Sequence, residues 1–206
     1  MVRLAKYNED SFIDSAIHIA AGCGIGAVSM ASIALRAGAP IGSLYHRFDS
    51  RGTVLARAWL KVRADFRAAV CGHWERGDTW QAVEAMLQWC RAKPVYARFM
   101  LQSDEAPDFG PLAAPLHAAL EADQAALDGA FERCLHAVAA TMPEASHLLR
   151  YVLIGAPVAI VKPFLSLEQS IPPFIDGVLR ATHDGACTWQ RPAQSTSHLP
   201  TVASTH

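Results

Sequence analysis

The amino-acid sequence predicts an all-α protein, and three observations support this prediction. Apolar residues recur at helical spacing along most of the 206 residues, whereas no run alternates between apolar and polar as a half-buried strand does. Stretches with this spacing begin at helix-capping residues and end at glycine or proline. The chain is 51% hydrophobic and 18% charged, a composition that supplies a core and excludes a disordered chain. We therefore expect about nine helices.

The first four helices are expected in the N-terminal third of the chain. Asn8 caps the first helix, whose early acidic residues suit the positive end of the helix dipole. Ser29 caps the second helix and Gly38 closes it. Pro40 opens a very short third helix, and a longer fourth helix follows. The four expected ranges are 8–22, 29–38, 40–47 and 50–73.

The remaining sequence predicts further helices separated by breaks. Asp78-x-x-Gln81 resembles a capping box, and the segment 103–115 is expected to be a loop. Pro143 interrupts a long amphipathic pattern. From Cys187 onward the chain is rich in Ser, Thr and Pro and lacks an apolar stripe, so a disordered tail is predicted. The helices are expected at 78–90, 94–101, 116–141, 144–162 and 174–182.

Charge is distributed unevenly along the chain, although the net charge is only −1 at neutral pH. Residues 1–63 contain eight Lys and Arg against four acidic residues, a net charge of +4. The rest of the chain carries 10 basic and 15 acidic residues, a net charge of −5. A basic head on an acidic body suits binding of a polyanion at one end, although the same charge pattern also occurs on ordinary surfaces.

Neither an export signal nor a membrane segment is predicted. Asn8, Glu9 and Asp10 interrupt any apolar run near the N-terminus. The longest apolar run, Tyr151–Val161, has 11 residues, whereas a membrane span needs about 20. The five cysteines include no CxxC pair, which favours free thiols in a reducing cytoplasm over disulfides or a zinc site. A cysteine-based redox sensor is the alternative, and no cofactor or metal is expected.

Residues 29–47 have the composition of a helix-turn-helix. Two short helices that cross steeply need a tight glycine-containing turn and small residues at the crossing, which Ala34, Ala37 and Gly38 supply. The residues left to face outward include hydrogen-bonding side chains and a guanidinium, which suit contact with a DNA major groove. The apolar residues available for a small core are Ile33, Leu44 and Phe48.

Two spaced motifs carry a family resemblance. They are Ala31-x-Ile33-Ala34-x-x-Ala37-Gly38 and Gly42-Ser43-Leu44-Tyr45-His46-x-Phe48, followed by Ser50-Arg51 and Leu55. This pattern, over about residues 10–58, resembles the DNA-binding domain of the tetracycline-repressor (TetR) family of bacterial transcription regulators. The resemblance implies an all-α homodimer with a three-helix N-terminal DNA-binding domain and a helical ligand-binding and dimerisation domain. The expected divisions are 1–54 for DNA binding, 55–186 for the body and 187–206 for the tail.

The resemblance also implies which residues contact DNA. Ser29 would meet a phosphate at the N-terminus of its helix, and Tyr45 and Arg51 would bind further phosphates. Ile41 lies where base edges are approached and would pack on a thymine methyl group, and Arg47 would reach a phosphate or a guanine. The implied set is Ser29, Met30, Ile41, Gly42, Ser43, Tyr45, His46, Arg47 and Arg51.

Three positions depart from the family pattern. Pro40 stands where a capping Ser or Thr is usual, although proline suits the first position of a helix. Ile41 replaces a residue that is often polar. Gly52 replaces a common acidic residue in the first turn of the fourth helix, where glycine costs about 0.5–1 kcal/mol relative to alanine.

The body is expected to hold a ligand cavity and a dimer interface. Its aromatic and methionine residues suit an apolar or aromatic ligand, although the same residues would also serve as core. The apolar stretch 148–161 predicts a helix buried on all sides, with one side toward a second subunit and a kink at Pro157. The expected cavity residues are Phe66, Met86, Trp89, Tyr96, Phe99, Met100, His117, Phe131 and Tyr151. The expected interface residues are Val152, Gly155, Ala156, Ala159, Ile160, Ile175, Val178 and Leu179.

The predicted function is that of a ligand-responsive transcriptional regulator, a repressor that binds a palindromic operator as a homodimer. A small apolar or aromatic effector would release it, because the fourth helix of this family links the DNA-binding head to the body. A helical module that senses a small molecule or redox state without specific DNA recognition is one alternative. A small helical enzyme is another, but the sequence has no nucleophile elbow, phosphate loop, metal-ligand spacing or dinucleotide fingerprint.

Overall fold

The computed structural model describes residues 8–102, 107–138 and 145–188. The helices are α1 (Glu9–Cys23), α2 (Met30–Arg36), α3 (Ile41–Tyr45), α4 (Arg51–Arg76), α5 (Thr79–Ala92), α6 (Pro94–Leu101), α7 (Ala114–Val138), α8 (Ala145–Arg150), α9 (Ala156–Ser166) and α10 (Phe174–Thr188). Because a π-helical turn (Tyr151–Gly155) joins α8 to α9 without a break, the described helices number nine. No strand occurs in these residues, and the predicted all-α class is confirmed.

The first three helices and the start of α4 surround a small apolar core. Phe12, Ile33 and Leu44 come from α1, α2 and α3 and are fully buried, and Phe48 completes the core. The ring centroids of Phe12 and Phe48 lie 6.3 Å apart in an edge-to-face arrangement, which aromatic pairs favour. The core predicted for the helix-turn-helix is therefore present.

Side-chain caps start the first two helices at the residues that the sequence predicts. The Asn8 side chain accepts a hydrogen bond from the Ser11 N–H at 2.8 Å. Ser29 Oγ accepts one from the Ser32 N–H at 3.0 Å, while Ser32 Oγ accepts one from the Ser29 N–H at 2.8 Å, which completes a capping box. Gly38 closes α2 with a φ of +63°, a conformation that favours glycine.

Several helix boundaries differ from the prediction. α4 continues through Gly72 to Arg76, and Gly77 ends the helix with a φ of +72°. The capping box predicted at Asp78 is wrong: its carboxylate accepts a hydrogen bond from Arg76 Nε at 2.7 Å and caps no helix. α10 reaches Thr188, beyond its expected end. The break predicted at Pro143 and the tail at residues 189–206 lie outside the described residues.

α4 and α7 lie side by side in the body and run in the same direction. Arg63 of α4 lies opposite Asp123 of α7, and further along both helices Trp74 lies opposite Phe131. α4 also packs against α1 and α5, so this one helix contacts both the N-terminal domain and the body. The boundary predicted after residue 54 falls within α4 and stays a prediction.

A π-helical turn immediately precedes Pro157 in the continuous helix formed by α8 and α9. Pro157 has no N–H to donate, and its ring crowds the preceding turn of a regular helix. The Ala156 N–H bonds to the Tyr151 carbonyl, five residues back, which widens the turn. The irregularity expected at Pro157 therefore takes the form of a π-helical turn.

Residues His147–Ser166 form a helix of 20 residues that is long and apolar enough to cross a membrane, by length and composition alone. It exceeds the uninterrupted apolar run of the sequence because Arg150 and Lys162 lie within it. Leu149, Val152, Leu153 and Val161 of this helix are buried in the body. Packing in the body therefore accounts for part of its apolar sequence.

The departure from the family pattern at Gly52 is explained by packing. Gly52 is buried in the first turn of α4, and the carbonyl oxygen of Phe109 lies against it. A Cβ atom at residue 52 would overlap this oxygen, so an acidic side chain has no space there. The segment between α6 and α7 thus reaches the N-terminal end of α4.

Three of the five cysteines are buried, namely Cys71, Cys90 and Cys134. Burial raises the pKa of the Cys71 and Cys134 thiols to about 11 and that of Cys90 to about 12. Because the thiolate is the reactive form, these three thiols are unreactive at neutral pH. Cys23 and Cys187 are exposed.

Candidate nucleic-acid interface and ligand cavity

The outer side of α3 exposes the residues expected to approach the bases. Tyr45 is 55% exposed and Ile41 is 46% exposed, and His46 and Gly42 are exposed beside them. A Cβ atom at Gly42 would meet no heavy atom within 4 Å, so the surface there is open. Leu44 is fully buried and fixes α3 to the domain core.

The N-terminus of α2 differs in part from the expected DNA contact. Ser29 is exposed, with its hydroxyl in the capping box. The Met30 side chain is buried in the domain core, and contact of Met30 with DNA stays a prediction. The first residue of α2 turns its side chain inward because this end of the helix packs on the core. Ser43 of α3 is half-buried.

Two arginines expected at phosphates are bonded within the domain. Arg51 Nε donates to the Val28 carbonyl at 2.6 Å and Nη2 donates to the Ile25 carbonyl at 2.7 Å, so Arg51 fixes the segment that precedes α2. The Arg47 guanidinium lies 6.0 Å from the ring centroid of Phe12. Contact of either arginine with a phosphate stays a prediction.

The basic residues that the structure describes in the N-terminal segment fall into three groups. On α4, Arg57 and Lys61 form ion pairs of 2.5–3.4 Å with three acidic residues of α1, namely Glu9, Asp10 and Asp14. Arg63 lies inside the body. The basic residues closest in sequence to α3 are Arg36, Arg47 and Arg51, with Asp49 as the acidic residue among them.

A cavity of about 540 Å³ lies in the body between α4, α5, α6, α7 and the α8–α9 helix. Its volume is in the range of about 300–1,000 Å³ typical of small-molecule sites. Four of the expected cavity residues line it, namely Phe66, Met86, Met100 and Phe131. The other apolar residues of its wall are Trp59, Trp74, Leu101, Leu127, Ile154 and Val158.

Five expected cavity residues do not line this cavity. Trp89 and Phe99 are buried in the surrounding core, and Tyr96 is half-buried. His117 and Tyr151 are exposed. Helical periodicity identifies the buried face of a helix, but it does not tell which buried residues border an empty space.

Polar residues that the sequence analysis missed also line the cavity, namely Arg63, Gln124, Asp128 and Arg150. Arg63 comes four residues after Trp59 and three before Phe66, so it lies on the apolar side of α4. A charged residue at the helical spacing of the buried apolar residues was the signal that could have identified Arg63 as a cavity residue.

Arg63 and Asp123 form a buried ion pair beside the cavity. Arg63 is 8% exposed and Asp123 is 5% exposed. Arg63 Nε lies 2.5 Å from Asp123 Oδ2, and Arg67 Nη2 lies 3.0 Å from Asp123 Oδ1. Burial lowers the pKa of Arg63, but a guanidinium stays protonated in proteins. Two guanidinium groups therefore share one carboxylate.

The residues expected at the dimer interface divide between the inside and the outside of the chain. Val152, Ala156, Ile175 and Leu179 are buried in the chain's own core, and their place at an interface stays a prediction. A helix that is apolar on all sides gives no sequence signal for which side faces its own core. The expected residues that remain at least partly accessible are Gly155, Ala159, Ile160 and Val178. Large exposed apolar residues that were not expected there are Tyr151, Leu167 and Phe174.

Comparisons with known proteins agree with this arrangement. Residues 12–58 match the family model described as bacterial regulatory proteins, tetR family. The chain resembles the fatty acid degradation regulator FadR from Bacillus halodurans with a TM-score of 0.65 and 14% identity, over 89% of this chain and 96% of that chain. It resembles a TetR family transcription regulator from Marinobacter aquaeolei VT8 with a TM-score of 0.62 and 16% identity, over 87% and 93%. A search of curated proteins found no match.

The two comparisons cover different parts of the chain. The family model covers the segment that carries the two motifs, from Phe12 to Ala58. The structural likeness extends over nearly nine-tenths of the chain and so includes the helical body with its cavity. Residues 12–58 therefore match the N-terminal domain of the tetR family, and the chain has the fold of the TetR-family transcription regulators that it resembles.

Proposed function

We propose that the protein is a cytoplasmic, ligand-responsive transcriptional repressor that binds a palindromic operator as a homodimer. The observation that carries this proposal is the course of α4. Its first turn is tied by Arg51 to the segment that leads into the helix-turn-helix, and its later turns supply Trp59, Phe66 and Trp74 to the cavity wall. One rigid helix thus connects the DNA-binding surface with a small-molecule site.

The proposed response follows from the geometry of DNA. Two recognition helices of a dimer must lie about 34–36 Å apart to enter successive major grooves. A ligand that binds more tightly to an arrangement with another spacing shifts the population away from DNA. Because α4 contacts both units, a change of its tilt at the cavity alters the position of α3.

The second subunit is proposed to pack on the outer sides of the α8–α9 helix and α10. Ala159, Phe174 and Val178 are exposed there, and Phe174 is 65% exposed. Exposed apolar groups of this kind mark association surfaces in soluble proteins. The mass of the purified protein in solution, measured by light scattering, is expected to be that of two chains. A monomer at micromolar concentration contradicts the dimer.

DNA binding is tested with a duplex selected from a random library and fluorescence anisotropy at several salt concentrations. Affinity is expected to fall steeply with salt, because each phosphate contact releases counterions with a slope of about −0.9. The double variant Tyr45→Phe, Arg51→Ala is expected to lower affinity to a similar extent for all sequences, because both residues are proposed at the backbone. Arg180→Ala on α10 is the control for loss of an arginine and is expected to change nothing. Unchanged affinity of the double variant contradicts the proposed contacts.

A further variant, Arg51→Lys, separates two roles of Arg51. It keeps the positive charge but cannot reproduce the paired bonds to the Val28 and Ile25 carbonyls. If Arg51 acts through a phosphate, lysine is expected to retain most of the affinity. If Arg51 acts by holding the segment before α2, lysine is expected to weaken binding nearly as much as alanine.

Gly42→Ala is expected to stabilise the protein and yet weaken DNA binding. Alanine in place of a helical glycine gains about 0.5–1 kcal/mol, and the added Cβ meets open space in the free protein. On DNA the same methyl group would separate α3 from the bases, at a cost of about 1–3 kcal/mol in binding. Thermal unfolding and anisotropy measure the two effects.

The matched control for this variant is Gly22→Ala. Gly22 is exposed in α1, and its added Cβ also meets open space. We expect a similar gain in stability with no change in DNA affinity. Equal DNA affinity of Gly42→Ala and the unmodified protein would place the DNA contact elsewhere than on α3.

A further inference from the structure

The wall of the cavity contains two buried hydrogen-bond donors whose partners are missing from the part of the chain that the structure describes. They are Arg63 Nη2 and Trp74 Nε1. Arg63 is 8% exposed, Trp74 is 1% exposed, and both residues line the cavity. Buried donors are nearly always satisfied in folded proteins, so the charged one, Arg63 Nη2, points to an acceptor that a ligand would bring.

The other nitrogen atoms of Arg63 are already directed at protein groups. Nη1 donates to Gln124 Oε1 at 2.9 Å, and Nε lies 2.5 Å from Asp123 Oδ2. The Gln124 side chain is held in place because its Nε2 donates to Asp128 Oδ1 at 2.9 Å. The guanidinium is therefore fixed on two sides, and Nη2 is the corner that remains for the cavity.

The charges around the cavity favour an anion. Asp123 is shared between Arg63 and Arg67, so its single negative charge balances only one of them. Arg150 adds a positive charge to the cavity wall, 4.9 Å from the ring centroid of Phe131. Asp128 is the acidic residue on the wall itself. Three guanidinium groups against two carboxylates leave a net positive charge at a site of low dielectric, where unbalanced charge interacts strongly with a ligand.

The distance between the two donors sets the shape of the ligand. Arg63 and Trp74 are eleven residues apart on α4, which corresponds to about 16 Å along the helix axis. The wall between these levels is apolar, with Phe66, Met86 and Phe131. Arg63 therefore lies at one end of the site and apolar residues lead from it toward Trp74, where Arg150 lies against Phe131.

We infer that the cavity binds an organic carboxylate with an elongated apolar body, whose carboxylate accepts hydrogen bonds from Arg63. A planar guanidinium and a carboxylate form the strongest class of hydrogen bond between organic groups in proteins. The apolar body lies along Phe66 and Phe131 toward Trp74. This inference rests on the proposed function, since it names the chemistry of the effector of that same site.

The test compares ligands of one shape and different charge on the full-length protein. Decanoate, decanol and decylamine are titrated while tryptophan fluorescence is followed, because Trp59 and Trp74 line the cavity. Phenylbutyrate and phenylbutanol form a second pair with an aromatic body. We expect each carboxylate to bind at least tenfold more tightly than its alcohol, and decylamine to bind most weakly. Equal binding of acid and alcohol in both pairs, or no saturable binding of either acid, overturns the inference.

Variants then assign the anion to Arg63. Arg63→Gln is expected to weaken binding of decanoate tenfold or more while leaving binding of decanol unchanged, because only the carboxylate uses the guanidinium. Arg180→Gln, on the exposed side of α10, is expected to affect neither ligand. If Arg150→Gln abolishes the preference for the acid and Arg63→Gln does not, the assignment to Arg63 is overturned. The comparison of acid with alcohol on the unmodified protein decides the ligand class even if Arg63→Gln does not fold.

The role of the site in regulation is measured separately. These titrations contain no DNA, so they do not depend on the operator. Adding decanoate to the complex with the selected duplex is expected to lower DNA affinity. If decanoate binds and DNA affinity is unchanged, the ligand class stands and the release mechanism of the proposed function is overturned.

Discussion

Replacement of Phe12 by alanine is expected to unfold the N-terminal domain at a much lower denaturant concentration. Phe12 is 0% exposed and forms an edge-to-face pair with Phe48. Removal of a buried phenylalanine costs about 3–5 kcal/mol, because it combines lost burial with a cavity. A domain with a total stability of about 5–15 kcal/mol loses a large share of it. Urea unfolding followed by circular dichroism measures the shift.

Leu35→Ala is the control for the loss of a large apolar side chain. Leu35 lies on α2 of the same domain but is 83% exposed. Surface substitutions of this kind change stability by about ±0.5 kcal/mol at most. If the two variants unfold at the same denaturant concentration, Phe12 does not lie in the domain core that the structure describes.

The second large effect is expected for Asp123→Asn in the body. Asparagine has nearly the same shape, so no cavity forms, but the buried Arg63 loses its counterion and Arg67 loses its partner. Removal of one partner of a buried ion pair costs about 3–5 kcal/mol, because an uncompensated charge stays buried. The free energy of unfolding, from urea titration, measures this loss.

Asp128→Asn changes the same atoms at an exposed position of α7, and a much smaller loss is expected. The double variant Arg63→Met, Asp123→Leu removes both buried charges, and its stability is expected to return near that of the unmodified protein. Arg67 remains tolerable in that variant because its side chain is 31% exposed to water. A loss as large as in Asp123→Asn contradicts the interpretation that unpaired charge is the cause.

The N-terminal domain could be predicted closely from the sequence, because its signals are local. Asn8, Ser29 and Gly38 act within three or four residues of their own positions. The core residues Ile33, Leu44 and Phe48 follow from the same spacing. The burial of the Met30 side chain could not be predicted in this way, because the direction of a side chain at the first position of a helix depends on what that end of the helix packs against.

The body could be predicted only as a set of helices, because its site depends on long-range packing. Arg63 becomes a cavity residue only when α7 brings Asp123 and Gln124 beside it, sixty residues later in the chain. The burial of Val152 and Ala156 in the chain's own core could not be predicted for a related reason. The sequence of the α8–α9 helix has no polar side, so periodicity does not indicate which side of the helix faces the core. The π-helical turn also rotates the following residues relative to a regular helix.

The contact of Gly52 with the Phe109 carbonyl limits how far the two parts of the chain can be exchanged between relatives. A chimera that joins this DNA-binding head to another body would lose Phe109. Gly52 would then still weaken α4, although no carbonyl would lie against it. The reverse chimera would bring any larger residue at position 52 against this carbonyl. We therefore expect residue 52 and the segment that begins at 107 to be exchangeable only together, although 57 positions separate Gly52 from Phe109.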